Sequence, residues 1–336
     1  MNEFDLINRL SARLPAPPPE VVVPLGDDCA VLRFGDALWA AAADMLVAGR
    51  HFEEWATPTE VGYKAVAVNV SDVAAMGAAP RFVMASGGAE DVETTLGCME
   101  GVLRACEEFG AYPLGGDTIR AAALTVNVAI LGQLTHAPVL RSGARSGDLL
   151  AVTGELGASA AGLLALQRGY AGPKRLVKKH LHPEPRFALG RAAARLGAQA
   201  MIDISDGLVS DVRHLCQRSG IGCRIHLDLL PIADDTREYL RSIDRDPQIL
   251  AATGGEDYEL LIAAHDNVLK ELEGESDVPI TVIGETMQTE VVFLRNGEPV
   301  ENLSGWDHFP GFEGGDIKDK YEKDEESGEW VPKEEN

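Results

Sequence analysis

Residues 200–218 read Ala-Met-Ile-Asp-Ile-Ser-Asp-Gly-Leu-Val-Ser-Asp-Val-Arg-His-Leu-Cys-Gln-Arg, and their pattern changes period halfway. Ala200–Ile204 predicts a short buried strand, Ser205-Asp206-Gly207 a turn, and Gly207–Arg218 a helix. A strand feeding a helix through a tight turn is a building unit of layered α/β and α+β proteins. The turn holds Asp203 and Asp206 at one end of the strand, so both carboxylates can face the same end of a sheet.

The same alternation extends in both directions. Upstream, Cys29–Phe34 and Ala37–Ala43 predict a strand pair joined at Gly35-Asp36, and Pro58–Met76 a long helix with Thr57 or Thr59 near its N-cap. Arg81–Ser86 predicts a strand, Val92–Phe109 a helix and Leu124–Leu134 a strand. A helix is also expected over Phe4–Leu14. His136–Gly147 carries Pro, Ser and Gly and reads as a domain junction. Beyond it come strands at Asp148–Thr153, Gly222–Leu227, Tyr258–Ala263, Ile280–Gly284 and Val291–Leu294, with helices at Ala158–Arg168, Phe187–Leu196 and near Thr236–Ile243. Strands and helices mix in both halves, which predicts two α/β or α+β domains for 336 residues.

Aspartates recur at the ends of these apolar segments. They stand in Gly26-Asp27-Asp28, Ala43-Asp44-Met45, Asn69-Val70-Ser71-Asp72, Gly115-Gly116-Asp117-Thr118 and Asp203-Ile204-Ser205-Asp206-Gly207. Any one of them could be a turn residue or a helix cap. Together they are more than capping needs. Carboxylates gathered at strand ends repel by roughly 4 kcal/mol per close pair at an effective dielectric near 20. Hard divalent cations with oxygen ligands resolve such a conflict. Magnesium held this way also neutralises phosphates, so an aspartate-rich site binds ATP without a glycine loop and lysine. G-x-x-x-x-G-K-[ST], a strand-linked G-x-G-x-x-G, H-E-x-x-H and G-x-S-x-G are all absent.

Charge and cysteine usage narrow the partners. The net charge is −23, of which Gly311–Asn336, with ten acidic and four basic residues, contributes −6. An acidic chain is a poor match for nucleic acid or an anionic membrane. Cys29, Cys98, Cys106, Cys216 and Cys223 form no Cys-x-x-Cys pair, so thiols in a reducing cytoplasm are expected. Met1-Asn-Glu-Phe-Asp5 has no basic stretch followed by an apolar run, so no signal peptide is expected. The longest apolar run, Ala37–Val47, is too short to span a bilayer.

Eight runs, in order, resemble one family. They are Gly26–Leu32, Asp44–Phe52, Tyr63–Ala78, Gly115–Thr118, Arg141–Ala144, Asp203–Leu208, Gly254–Leu260 and Gly305–Phe309, and they are similar to thiamine-monophosphate kinases. The resemblance implies the fold of aminoimidazole ribonucleotide synthetase, with two α/β (α+β) domains. The N-terminal sheets of two protomers would form a barrel across a homodimer interface. Residues 1–137 would bind ATP and magnesium and dimerise, 138–310 would form the C-terminal domain, and 311–336 an acidic tail without fixed structure.

The reaction implied is transfer of a phosphoryl group from ATP to thiamine monophosphate, giving thiamine diphosphate. By the same resemblance Asp28, Asp44, Asp72, Asp117, Asp203 and Asp206 would ligate magnesium, with Asp44 and Asp206 most directly engaged in catalysis. Gly116, Asp117, Arg141 and Ser205 would hold ATP, and His51, Glu256 and Trp306 the thiamine phosphate. Lys64 is read as a solvated or salt-bridged helix residue and is left out of the site. Two departures stand out. Ala42 and Ala43 precede Asp44 where the family usually has Ser or Thr, and the family's tyrosine near the nucleotide falls at Phe109 or Tyr112. Two rival readings share these motifs: another ATP-using enzyme of the superfamily with a different acceptor, and a non-catalytic magnesium–nucleotide binder.

Overall fold

Thr57 begins the element around which the rest is arranged. Its hydroxyl accepts from the Glu60 amide (3.3 Å) while the Glu60 carboxylate accepts from the Thr57 amide (2.8 Å), and Pro58 occupies the first turn. Helix α1 (Pro58–Ala75) then runs for 18 residues, buried on almost every side. Such a helix belongs to the interior. In the computed structural model, which describes residues 9–305, 321–323 and 330–332, α1 packs against helix α2 (Val92–Phe109) and a sheet on one side. Its last turns meet a second set of elements. The approach to α2 is set by glycine: a Cβ on Gly62 would lie 1.8 Å from the Cys98 carbonyl oxygen, and one on Gly101 2.0 Å from that of Thr59.

The first sheet has the order β1-β2-β3-β7-β4-β5, with β6 beside the far half of β4. Its strands are β1 (Val21–Val23), β2 (Ala30–Phe34), β3 (Ala37–Val47), β4 (Ala79–Ala89), β5 (Tyr112–Gly115), β6 (Thr118–Arg120) and β7 (Thr125–Leu134). The β2–β3 hairpin turns at Gly35-Asp36, where Gly35 adopts φ +60°. β3 pairs antiparallel with β7 from Leu38↔Leu134 to Val47↔Thr125, but with β2 only as far as Ala41. Along β7, Val126, Val128, Ile130 and Leu134 are buried under the helices while the alternate residues are half-buried. The other face of this sheet and its edge carry exposed apolar groups, among them Met45, Met84, Tyr112, Leu114 and Ile119.

The second sheet has the order β14-β13-β10-β12-β8-β11-β9. Here β8 is Leu149–Thr153, β9 Ala200–Asp203, β10 Gly222–His226, β11 Leu260–Ala264, β12 Ile280–Met287, β13 Val291–Arg295 and β14 Glu298–Pro299. β10 and β13 are parallel and the other pairs antiparallel. Its helices are α3 (Ala158–Gln167), α4 (Lys174–Leu181), α5 (Phe187–Leu196), α6 (Leu208–Ser219), α7 (Asp234–Ser242), α8 (Pro247–Thr253) and α9 (Asp266–Gly274). The chain is therefore a mixed α/β protein with two mixed sheets, both within one compact unit. Ala74 and Ala75 at the end of α1 share a hydrophobic cluster with Leu189, Met201, Leu260 and Ile262 of the second lobe.

Of the helix expected over Phe4–Leu14, residues 9–11 are helical and residues 4–8 lie outside the described residues. In the acidic C-terminal segment, Tyr321–Lys323 and Trp330–Pro332 pair antiparallel and form part of a separate unit. Among the described residues no helix is long and apolar enough to cross a membrane.

Candidate active site

Three carboxylates converge where the two lobes meet. Asp28 comes from the turn between β1 and β2, Asp72 from α1 and Asp203 from the end of β9, and one oxygen of each lies within 4.8 Å of the others. Asp203 is fixed from across the lobe boundary, since the Ser71 hydroxyl donates to its Oδ2 at 2.6 Å. Arg141 supplies the positive charge. Its Nη2 lies 2.6 Å from Asp28 Oδ1, and its backbone amide donates to both Asp27 oxygens at 3.2 Å. The other Asp28 oxygen, Oδ2, is buried without a hydrogen-bond partner.

One guanidinium does not balance these carboxylates. Burial, then repulsion from Asp44, Asp203 and Asp28, pushes the Asp72 carboxyl well above its ordinary range, and Arg141 offsets only part of this. Asp203 is pushed up to about 8 by burial and then by Asp28. Asp27 rises to about 6 for the same two kinds of reason, burial and the Asp28 charge. On α6, Asp211 rises through burial and then through Asp206, and its Oδ2 also lacks a partner. All-oxygen donors, an unpartnered inward oxygen and carboxyls that resist ionising fit one or more hard divalent cations.

The remaining aspartates surround this triad. The Asp44 amide donates to Asn69 Oδ1 (3.2 Å), and the Asp44 carbonyl accepts from Asn127 Nδ2 (3.2 Å), so two asparagines fix its backbone. Because β3 outruns β2 after Ala41, every second carbonyl on that edge near Ala42 and Ala43 has no sheet partner. Backbone oxygens there can stand in for the hydroxyls that the two alanines lack. Asp206 follows Asp203 in the turn into α6 and acts electrostatically on Asp211. Ser205, half-buried between them, accepts the Glu256 amide on its carbonyl (2.7 Å), and the Ile204 carbonyl accepts the Tyr258 amide (2.9 Å). The turns at 203–207 and 254–258 are thus braced together.

Asp117 lies apart from the triad. It is exposed in the β5–β6 turn, three strand spacings and so about 14 Å across the sheet from Asp44. Its amide donates to Ser86 Oγ (3.2 Å). Gly116 beside it is irreplaceable by a larger residue, because a Cβ there would sit 1.6 Å from the Ala85 carbonyl oxygen. Of the two aromatic candidates, Phe109 is buried in the core against Tyr63, whereas Tyr112 is exposed at the start of β5.

On the opposite flank stands Glu256, in the left-handed region at φ +65°. His51 is half-buried, takes the Val47 amide on Nδ1 (3.1 Å), and is close enough to help hold Glu256 ionised. Lys64, set aside on sequence grounds, is buried, and its ammonium lies 2.8 Å from Glu256 Oε1. His180 Nδ1 lies 3.3 Å from Glu256 Oε2, and its ring meets Trp55 edge-on with centroids 5.4 Å apart. Trp306 lies outside the described residues. Ser71, Asn127, Asp211 and His180 were not singled out from the sequence, and Lys64, read there as solvated or salt-bridged, proves salt-bridged. For Lys64 a signal existed: it is a lone cation between Val61 and Val70 in an apolar helix.

Comparison with known proteins finds close relatives of the chain. Residues 26–134 match the family described as AIR synthase related protein, N-terminal domain, and residues 145–295 match its C-terminal domain. The chain is 37% identical over 318 residues to a thiamine-monophosphate kinase of Mycobacterium tuberculosis, covering 92% of each. It is 38% identical over 324 residues to that of Escherichia coli, covering 91% of this chain and 98% of the relative. A solved structure described as AaThiL complexed with AMPPCP and TMP superposes with a TM-score of 0.82 at 33% identity, covering 92% of this chain and 97% of the other.

Proposed function

This chain belongs to the thiamine-monophosphate kinase family, whose reaction is ATP-dependent phosphorylation of thiamine monophosphate to thiamine diphosphate, and on that premise we propose how its residues divide the work. Asp28, Asp72 and Asp203 form the centre of a magnesium site, with Asp44 and Asp206 beside the transferring phosphoryl group and Asp117 at the far end of the nucleotide phosphates. Bound there, magnesium neutralises the phosphates and the developing charge of an in-line transfer. The observation that carries this is the buried, unpartnered Asp28 Oδ2 within a triad of carboxylates that one arginine cannot balance.

The chain's own residues position the reactants. Arg141 is held by Asp28 and keeps further guanidinium hydrogens for a nucleotide phosphate. Gly115-Gly116 lets the backbone approach the phosphates, and Ser205 stands at the turn between nucleotide and acceptor. His51, Glu256 and Trp306 take the thiamine phosphate. The acceptor is itself a phosphate with a second pKa of about 6, already anionic at neutral pH, so no strong general base is needed. The rival readings are disfavoured by the comparisons, because relatives covering more than nine-tenths of the chain are kinases of this acceptor.

A second copy of the chain fits the exposed apolar side of the first sheet. Tyr112 and Ile119 are each more than 60% exposed on the outer strands, and two such sheets closing on each other would form the barrel of a homodimer. All five cysteines are buried free thiols, which supports a cytoplasmic setting. The direct test is incubation of purified protein with ATP, magnesium and thiamine monophosphate, following thiamine diphosphate by chromatography. Formation is expected, with an Asp72→Asn variant reduced to background; no product above that variant would sink the proposal.

A further inference from the structure

Burying a lysine is expensive unless the charge is paired. Lys64 is 4% exposed and its ammonium lies 2.8 Å from Glu256 Oε1. A buried ion pair adds little net stability, and well-packed apolar side chains of similar volume would serve the fold as well or better. The placement of this pair is therefore informative. Glu256 lies in the loop braced to Ser205, one turn away from Asp203 and Asp206, and it is held at φ +65°, a conformation costly for a non-glycine residue.

The second oxygen of Glu256 is held as well. His180 Nδ1 faces it at 3.3 Å and also faces Ser159 Oγ at 3.1 Å. Burial, then the neighbouring Lys64, pushes the His180 pKa down to about 3, so the ring is neutral and carries one proton. The carboxylate across from Nδ1 places that proton on Nδ1. For Glu256 itself burial works against the charge, but Lys64 and then His180 outweigh it and hold the carboxyl below its ordinary range. Each oxygen thus faces one nitrogen of the protein, Lys64 Nζ at 2.8 Å and His180 Nδ1 at 3.3 Å, while the side chain as a whole stays 28% exposed.

We infer that Lys64 and His180 are positioning residues that lock Glu256 as an oriented carboxylate for the amine- and thiazolium-bearing part of the acceptor. This rests on the kinase reading, and it assigns acceptor recognition to a pair anchored in α1. Without Lys64, the half-buried Glu256 takes up a proton or swings away, and the acceptor loses its anionic partner. The triad carboxylates across the Ser205 turn, which would hold ATP and its metal ions, make no contact with Lys64 or His180 and should not feel the change.

The test is a split of kinetic constants together with equilibrium binding of thiamine monophosphate by calorimetry. Lys64→Met should raise the KM and Kd for thiamine monophosphate about tenfold, equivalent to about 1.4 kcal/mol, with KM for ATP and kcat within about threefold. Added to Glu256→Gln, it should change them no further, because the interaction it supports is already gone. A Kd within twofold of wild type overturns the inference. So does a joint fall of kcat and ATP affinity, which is the mark of general structural damage. Should Lys64→Met not fold, because it leaves the half-buried Glu256 carboxylate without its cation, His180→Gln removes the other contact and must show the same split. Wild-type protein that binds no thiamine monophosphate overturns both the kinase reading and this one, whereas equal binding with and without Lys64 overturns this one alone.

Discussion

Asp203→Asn should stabilise the metal-free protein and weaken the metal-bound one. Asp203 is buried, and its carboxyl is pushed from 3.8 to about 8, by burial first and the Asp28 charge second. The folded pKa lies above the unfolded one, so the side chain costs nothing below about pH 4. The cost grows as pH rises toward 8. At pH 7 the difference amounts to about 4 kcal/mol. Part of that is shared with Asp28 and Asp72, which relax when one charge goes, so about 2 kcal/mol is the expected gain. For a chain of this size that raises the Tm by about 3 °C. Asparagine preserves the Ser71 contact, because its amide oxygen can accept where Asp203 Oδ2 now accepts at 2.6 Å.

With magnesium and a non-hydrolysable ATP analogue the order reverses. Ligand stabilisation follows RT ln(1 + [L]/Kd), and the variant lacks one carboxylate with which to hold the ion. The assay is thermal unfolding of both proteins in EDTA and in magnesium with nucleotide, at pH 8, 7 and 5.5. In EDTA the advantage of the variant should roughly halve between pH 7 and 5.5, because the free-energy cost of keeping the folded Asp203 carboxyl protonated, relative to the ionised unfolded chain, falls with pH. A variant less stable than wild type in EDTA at pH 7, or an advantage that ignores pH, would refute the account of the cluster as an uncompensated charge awaiting a cation.

Two further outcomes are expected. Arg141→Met removes a charge-assisted contact worth roughly 1.5–3 kcal/mol and should lower kcat/KM for ATP about 10–100-fold, read from initial rates. Ile119→Asp puts a charge on the exposed apolar side of the first sheet, and sedimentation equilibrium should show one copy where the wild type shows two. Wild-type protein sedimenting as a single copy would contradict the dimer.

Local chemistry made much of this legible. The reciprocal cap of Thr57 and Glu60 marks the start of α1, and Asp91 with Gly110 brackets α2, so both helices follow from their end residues. The β2–β3 hairpin follows from Gly35-Asp36. Strand β5 did not, because Tyr112-Pro-Leu-Gly115 has turn chemistry and becomes a strand only by lying parallel to β4. Helix α8 had a readable signal in Asp246-Pro247, whereas α9 carries Glu271 and Glu273 among its apolar residues and resembles solvent-facing chain. At the site, the aspartate turns are local and visible. Their convergence is not: Ser71 and Asp203 meet across 132 residues, and nothing near Lys64 in sequence points to Glu256.

The hydrogen bond from Ser71 to Asp203 bears on how the chain is born. A ribosome releases Asp28 and Asp72 first, then Arg141, and only afterwards Asp203. Arg141, the partner of Asp28, is therefore synthesised before the third carboxylate, so the full triad never exists in a chain that lacks its internal counter-charge. No fragment ending before residue 203 contains the triad, so the three carboxylates come together only when the two lobes join.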